Sequence, residues 1–186
     1  MERYFIEVFY QGARYAGFQA QENANTIQAE VEKAFKIYYR VAFSLTGSSR
    51  TDAGVHALQN FFHVDTALFE GRKDVMKDVY HLNAILPSDI VIRNIYKVLP
   101  EAHCRFSATA RNYQYTLYSA KNPFYESTGF YFPYPLQLNK LNEAADYLKH
   151  QTNFEAFAKK NSQVHSFICS LKESTWHILE DRLLYT

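Results

Sequence analysis

A single acidic side chain stands in a long basic stretch of this chain. Residues 33–64 contain one carboxylate, Asp52, which lies two positions after Arg50 in a loop that begins at Gly47 and ends at Gly54. A carboxylate beside an arginine stays ionised and can act as a nucleophile at electrophilic carbon or as a base. An aspartate in a glycine-bounded loop can equally form a turn by accepting a backbone hydrogen bond. From these residues alone, both hypotheses stay open.

Other catalytic and metal-binding patterns find little support. The chain has neither a GxxxxGK[ST] phosphate loop nor a GxGxxG motif, and the serines beside Asp52 lack the GxSxG elbow of a hydrolase. His56 and His63 do not have the spacing of metal ligands. His103 precedes Cys104, but neighbours in a strand point to opposite faces. Because Cys169 is the only other cysteine, the sequence predicts no disulfide framework and no metal site.

Composition narrows the class of protein further. The chain has 186 residues, a formal net charge of +1, 47% hydrophobic residues and 17% aromatic residues. These values exclude a disordered tail, and the length suits one domain or two small ones. No apolar run approaches the roughly 18 residues of a membrane span, and the N-terminus lacks a signal-peptide pattern. We therefore expect a cytoplasmic protein without membrane association.

The charge is distributed unevenly along the chain. Besides residues 33–64, which have one acid, residues 102–121 and 156–172 have none. A basic face would bind a polyanion through its phosphates, and exposed aromatic rings would stack on unpaired RNA bases. Chance patchiness and burial of most aromatic rings in the core are the alternatives. The basic side chains of these segments are Lys33, Lys36, Arg40, Arg50, His56, His63, Arg105, Arg111, Lys121, Lys159, Lys160 and Lys172.

Apolar periodicity predicts strand, helix, strand, strand, helix and strand in the first hundred residues, which is the order of a split-βαβ, ferredoxin-like unit. Asp52 falls in the connection between its second and third strands. The predicted strands and the second helix are Tyr4–Tyr10, Val41–Leu45, Leu58–Val64, Asp74–Leu86 and Ile90–Leu99. The first helix follows an Asn25–Gln28 capping box, with Ile27, Val31, Ala34, Phe35 and Tyr38 on its apolar face.

A second round of elements follows Pro100. The pattern predicts strand, helix, strand and strand, and then stops before the final helix and strand of a second unit. The predicted elements are a strand over 112–119, a helix over 139–149, and strands over 167–179 and 182–186. The expected domains are therefore residues 1–100, with the Asp52 loop, and residues 101–186, an incomplete second half.

The segment 47–57, GSSRTDAGVHA, resembles the signature of the TruA family of tRNA pseudouridine synthases. An N-terminal pattern and a central motif, RFSATAR at 105–111 followed by Tyr113 and Tyr115, resemble those of the same family. The N-terminal matches are Tyr10–Gly12, Tyr15–Gln19 and Thr26–Gln28, with Phe18 where Trp is common, and a weaker match lies at Phe154 and Phe157.

The resemblance implies an α+β pseudouridine synthase fold. Two ferredoxin-like split-βαβ halves would form one mixed or antiparallel sheet with helices packed on it. Members of the family continue for roughly sixty residues beyond the point that Thr186 matches, so we expect the chain to be truncated at its C-terminus.

The implied reaction is the isomerisation of uridine to pseudouridine in the anticodon stem-loop, at about tRNA positions 38–40. No metal or organic cofactor is implied, and the family is dimeric. By resemblance, Asp52 and Arg50 are catalytic, Tyr113 stacks on the displaced uracil, and Arg111 and His56 contact the substrate. The alternatives are an RNA-binding module that has lost catalysis through truncation, and an unrelated α+β binding domain in which Asp52 only forms a turn.

Overall fold

The computed structural model describes residues 1–72, 74–158 and 166–186. Within these residues the chain is α+β and separates into two compact units, Met1–Ala110 and Arg111–Thr186. Each unit carries one four-stranded sheet. Among the described helices, none combines the length and apolar character that crossing a bilayer would require.

The first unit is an antiparallel sheet with two helices. Its strands stand in the order β2-β3-β1-β4, and all three pairings are antiparallel. Helix α2 contacts β4 and α1. The elements are β1 (Glu2–Tyr10), a 3₁₀ turn (Gly12–Arg14), α1 (Ile27–Tyr39), β2 (Thr46–Gly47), β3 (Ala57–Thr66), α2 (Met76–Ile85) and β4 (Ile90–Lys97).

The core of this unit follows the predicted periodicities. The inward side chains of β1 are Tyr4, Ile6, Val8 and Tyr10, all of them buried, as their alternation predicts. Helix α1 likewise buries the apolar stripe at 3.6-residue spacing, including Val31. The helix begins differently from the prediction, because its cap is Thr26, whose side chain accepts a hydrogen bond from the Ala29 N–H at 3.3 Å.

The strand predicted over Val41–Leu45 is wrong. Strand β2 contains only Thr46 and Gly47, which pair with β3. The reason lies in helix α1, because the Gln28 amide donates to the Leu45 carbonyl and the Leu45 N–H donates to Glu32, both at 2.8 Å. The backbone groups of Leu45 are therefore bonded to helix side chains, and no neighbouring strand is needed to satisfy them.

The second unit has a sheet in the order β6-β5-β8-β7, with one parallel pair, β5 and β6. The predicted helix over 139–149 and the final strand predicted over 182–186 are confirmed. Of the strand predicted over 167–179, only the last four residues are a strand, and Ile168 makes an isolated bridge to Asn153. The elements are β5 (Tyr115–Tyr118), β6 (Phe130–Tyr131), α3 (Leu138–Lys149), a 3₁₀ turn (Glu155–Phe157), β7 (Trp176–Leu179) and β8 (Arg182–Tyr185).

Hydrogen bonding does not join the described strands into one sheet. Strand β4 pairs with β1 alone, and β5 pairs with β6 and β8.

Candidate active site

The loop between β2 and β3, residues 48–56, carries Asp52 and is anchored at its start. The Ser48 N–H donates to the Phe61 carbonyl at 2.8 Å, which continues the β2–β3 pairing into the loop. The buried Asn60 amide lies beneath the loop and donates to the Ser49 hydroxyl at 2.8 Å. The Ser48 hydroxyl donates to the oxygen of the Asn60 side-chain amide, Oδ1, at 2.5 Å. A buried amide with several partners gives the loop one favoured position.

The residue immediately before Asp52 is fixed from two sides. The Thr51 hydroxyl lies 2.9 Å from the Tyr10 hydroxyl, and the Tyr10 hydroxyl also accepts a hydrogen bond from Asn60 at 3.1 Å. On the backbone, the Thr51 carbonyl accepts the Phe18 N–H at 3.1 Å. The end of strand β1 and the segment before helix α1 therefore both position the residue that precedes Asp52.

The turn at Asp52 is formed by the backbone. The Val55 N–H donates to the Asp52 carbonyl at 3.3 Å, and Gly54 has a φ of 81°, the left-handed value that a type II turn requires of its third residue. The Asp52 side chain is exposed. Among the described residues, its carboxylate accepts no hydrogen bond and makes no ion pair. The hypothesis that this carboxylate exists to stabilise the turn is therefore not supported, because the turn forms without it.

Two glycines allow the N-terminal segment to approach this loop closely. A Cβ atom on Gly12 would lie 2.0 Å from the Val55 carbonyl oxygen, which no structure tolerates without movement. At Gly17, φ is 113°, and a Cβ atom would lie 3.0 Å from the Thr51 carbonyl oxygen. At both positions the backbone of the loop contacts the backbone of the N-terminal segment, and a side chain on either glycine would displace the loop.

Aromatic packing supports the loop from the core. The buried Phe18 ring stacks on Phe62 with centroids 4.5 Å apart and an interplanar angle of 10°. It also stacks on Tyr10 at 5.7 Å. A Cβ atom on Gly47 would lie 2.5 Å from the Phe18 ring, so the loop enters directly against this stack. The large Phe18 ring therefore limits where the backbone of Gly47, and the loop that follows it, can lie.

A polar cluster around Asp89 positions the 3₁₀ turn that contains Gly12. The Tyr15 hydroxyl donates to the Asp89 carboxylate at 2.7 Å, and Arg14 donates at 2.8 Å. The Asp89 carbonyl accepts the Gln11 N–H at 2.9 Å. Burial is the largest single influence on the pKa of Asp89 and raises it, but the hydrogen bonds from Tyr15 and Arg14 contribute to a net pKa below the ordinary value.

Comparison with known proteins identifies the family. No protein-family model matches the chain. The tRNA pseudouridine synthase A of Bacteroides fragilis is 39% identical over 177 residues, which are 95% of this chain and 69% of that protein. The enzymes of the same name from Azobacteroides pseudotrichonymphae and Parabacteroides distasonis are 34% and 36% identical, over 100% and 95% of this chain and 74% and 69% of their own lengths. This chain belongs to the tRNA pseudouridine synthase A family.

The residues that the family resemblance singles out fall in both units. Asp52, Arg50 and His56 lie in the loop of the first unit, where the first two are exposed and His56 is half-buried. Arg111 and Tyr113 belong to the second unit and precede strand β5; the Tyr113 side chain is 56% exposed. Within the described part of the chain, the ion pairs do not include one between Arg50 and Asp52. That pairing stays a prediction.

The predicted basic face is smaller than the sequence indicates. Lys33, Lys36 and Arg40 are exposed on and just beyond helix α1. His63, by contrast, is buried at 7% exposure, and burial, together with the nearby His103 and Arg3, lowers its pKa. It therefore stays neutral and contributes no charge, so its inclusion in a basic face is wrong. Lys159 and Lys160 lie outside the described residues.

Several positioning residues escape the sequence reasoning. Asn60 is the clearest, because it shares a face of β3 with the buried Phe62 and Val64 and is itself only 5% exposed. A polar residue in an apolar register predicts a buried hydrogen-bonding group, and that signal was available. Asp89 and Tyr15 carry no comparable signal, since they meet across 74 residues of chain.

Proposed function

We propose that this protein converts uridine to pseudouridine in tRNA, the activity for which its relatives, the tRNA pseudouridine synthases A, are named. The observation that carries the proposal is the Asp52 carboxylate, which is exposed and, among the described residues, accepts no hydrogen bond. The residue before it is fixed by Tyr10 and Phe18. A carboxylate that is held in position but has no structural task is available for chemistry on a bound substrate.

In the proposed reaction, the glycosidic bond between N1 of uracil and C1′ of the ribose breaks. The base turns, and a bond forms between C5 and C1′ while the hydrogen on C5 leaves as a proton. N1 takes up a proton in place of its bond to C1′, so the nucleotide keeps its composition and the reaction is an isomerisation. Asp52 can take part by attacking C1′, by attacking the base, or by abstracting a proton, and each route uses an accessible carboxylate.

The other site residues have proposed roles in binding and displacement. Arg50 lies two positions before Asp52, and we propose that it pairs with that carboxylate once RNA is bound and helps to displace the target base from its stack. Displacing a base costs a few kcal/mol, which protein side chains offset. Tyr113, with more than half of its side chain exposed, would stack on the displaced uracil. Arg111 and His56 would contact the substrate.

The architecture agrees with the proposal at the level of topology. In the first unit, the order of elements β, α, β, β, α, β and the sheet order β2-β3-β1-β4 support a split-βαβ, ferredoxin-like half. We propose that residues 1–100 form this half and residues 101–186 form part of a second. We also propose a homodimeric, cytoplasmic enzyme that acts on the anticodon stem-loop, at about positions 38–40.

The reaction and its site can be tested on unmodified tRNA. The purified protein is incubated with tRNA transcripts that contain only uridine, and the product is digested and mapped by mass spectrometry after selective derivatisation of pseudouridine. We expect pseudouridine within the anticodon stem-loop. Modification confined to another region of the tRNA would contradict the proposed location, and salt-sensitive binding without any modification would favour the RNA-binding alternative.

A further inference from the structure

The turn after strand β4 brings two histidines and a cysteine together. Each histidine, His63 and His103, offers one ring nitrogen, and Cys104 offers its sulfur. These three atoms lie within 4.8 Å of one another. The sequence argument against such a cluster assumed a strand, in which neighbours point apart. Cys104 instead lies in a turn, in which the Ser107 N–H donates to the His103 carbonyl at 2.8 Å. Both His103 and Cys104 can therefore reach His63.

We propose that His63, His103 and Cys104 form a three-ligand site for Zn²⁺, with a solvent molecule in the fourth position. Two imidazoles and a thiolate are ligands that this ion prefers, and three protein ligands with one open position is a recurrent zinc arrangement. None of the three residues lies in the loop 48–56, and none of them is among the proposed isomerase site residues.

The three ligand atoms lie within 4.8 Å of one another, and one pair already has close to the spacing that the ion requires. The His63 Nδ1 atom lies 3.1 Å from the Cys104 sulfur. With a Zn–S distance of about 2.3 Å and a Zn–N distance of about 2.0–2.1 Å, ligand atoms of a tetrahedral site lie about 3.3–3.6 Å apart. The pair must therefore separate by only a few tenths of an ångström. His63 and Cys104 are 7% and 4% exposed, whereas His103 is half-buried, which leaves an approach for the ion and its water.

Three existing hydrogen bonds involve the ligand side chains, one of them between His63 Nδ1 and the Cys104 sulfur at 3.1 Å, and metal bonds would take their place. The Cys104 thiol now donates to the Thr46 carbonyl at 3.2 Å, and its proton would leave to solvent when the thiolate binds zinc. The Arg105 N–H donates to His103 Nδ1 at 3.1 Å. A metal bound to Nδ1 of His103 would take the place of the Arg105 N–H. A metal bound to Nε2 would leave the ring proton on Nδ1, which then could no longer accept a hydrogen bond. Either binding mode therefore breaks this hydrogen bond.

The charges around the cluster allow a dication. Arg3, whose charge acts on both His63 and Cys104, is paired with Asp65 through two hydrogen bonds of 2.7 Å, so its charge is largely compensated. Burial raises the pKa of Cys104 to about 11, which means that the thiol keeps its proton until a metal replaces it. A thiolate then contributes the one negative charge among the three ligands.

The test uses the full chain under reducing conditions with Co²⁺ as the spectroscopic probe and Zn²⁺ as competitor. We expect one Co²⁺ per chain, a near-ultraviolet thiolate-to-cobalt charge-transfer band, and loss of that band on adding one equivalent of Zn²⁺. Cys104→Ala should abolish the band, and His103→Asn should weaken Zn²⁺ binding about tenfold or more. Cys169→Ala and His150→Asn, both at exposed positions, are the matched controls and should bind as the unsubstituted protein does.

Folding of each variant is checked by circular dichroism and thermal unfolding. His103 is only half-buried, so the His103→Asn variant keeps the test decisive if Cys104→Ala fails to fold. Absence of the band at saturating Co²⁺, or a band that survives Cys104→Ala and disappears in Cys169→Ala, would overturn the proposal. Unchanged Zn²⁺ affinity in a folded His103→Asn protein would do the same.

Discussion

The hydroxyl of Tyr10 lies 2.9 Å from the hydroxyl of Thr51, which joins the last residue of strand β1 to the residue before Asp52. Tyr10 is buried, and its hydroxyl also accepts the Asn60 amide. Burial raises the pKa of this phenol, so the hydroxyl keeps its proton throughout the neutral range. The Asp52 loop is thus tied to the sheet through neutral hydrogen bonds that do not change with pH near neutrality.

Removing that hydroxyl should affect turnover more than folding. In Tyr10→Phe, Thr51 and Asn60 both lose a partner, and we expect a stability loss of about 1–3 kcal/mol. A loop that is displaced by even a fraction of an ångström should lower kcat about tenfold or more, with little change in KM for tRNA. Thermal unfolding and steady-state kinetics measure the two effects.

Tyr38→Phe is the matched control, because its hydroxyl donates at 2.9 Å to Asp78 of helix α2 and not to the loop. It should lose stability and keep kcat. Equal losses of kcat in the two variants would contradict a specific role for Tyr10.

Gly12→Ala should disrupt the loop by direct collision. The added Cβ atom would meet the Val55 carbonyl oxygen at 2.0 Å, so the turn that carries Asp52 must move. We expect at least a tenfold loss of kcat. Gly71→Ala is the control for backbone strain alone, since φ is 71° there and no atom lies within 4 Å of the added carbon. It should cost about 1 kcal/mol of stability and leave activity intact. Full activity in Gly12→Ala would show that the loop does not need this close approach.

Asp89→Asn should lose stability in a pH-dependent manner. The folded pKa of Asp89 lies below the unfolded value, so its contribution is present above the unfolded pKa and declines as the pH falls through the folded pKa. We therefore expect the variant to be less stable than the unsubstituted protein at pH 7, by about 1–3 kcal/mol. The difference should shrink as the pH falls below about 4. Denaturant unfolding at a series of pH values measures it.

The control for this titration is Asp74→Asn. Asp74 is exposed and accepts the Met76 N–H at 2.8 Å, a hydrogen bond that asparagine can also accept. Its stability difference should be small across the range. A constant difference for Asp89→Asn down to low pH would show that its carboxylate charge is not what stabilises the turn.

Tyr113→Ala should impair catalysis without unfolding the protein. The side chain is 56% exposed, so its removal deletes little packing. A stacking interaction is worth about 1–3 kcal/mol, which corresponds to roughly a 5- to 150-fold loss in kcat/KM. Tyr113→Phe, which keeps the ring, should retain most activity. Tyr147→Ala, at a 68% exposed position on α3, is the control and should be fully active. Normal kcat/KM in Tyr113→Ala would rule out the stacking role.

Local patterns in the sequence predict most of the first unit, because its signals are periodic. The alternation of Tyr4, Ile6, Val8 and Tyr10 requires one buried face, and the apolar stripe of α1 requires another. The failures arise where side chains compete with the backbone of neighbouring elements. Leu45 is bonded to Gln28 and Glu32 rather than to a strand, and no periodicity records such a contact.

In the candidate site, too, the residues with local sequence signals could be predicted, and those that meet through long-range contacts could not. Asp52 is evident as the one acid of residues 33–64, and its loop is evident from the glycines that bound it. The residues that hold the loop are not, because Tyr10 meets Thr51 across 41 residues and Tyr15 meets Asp89 across 74. Of these residues, only Asn60 could be predicted locally, because it is a polar side chain among the inward-facing apolar side chains of its strand.

Asp52 can be removed with little expected effect on folding. Its side chain is exposed and, among the described residues, accepts no hydrogen bond, so Asp52→Ala and Asp52→Asn should unfold at nearly the same temperature as the unsubstituted protein. Both variants should still bind tRNA, since they remove a negative charge and leave the basic side chains in place. Glu101→Ala, at another exposed acid of the same unit, is the matched control.

The decisive measurement is the release of tritium from tRNA that contains uridine labelled at C5. Pseudouridine formation places C1′ on C5, so each turnover frees one labelled hydrogen to solvent. We predict that the unsubstituted protein and Glu101→Ala release tritium at equal rates, and that Asp52→Ala and Asp52→Asn release none while tRNA binding persists. Turnover retained by either Asp52 variant would contradict the central claim that this carboxylate performs the chemistry.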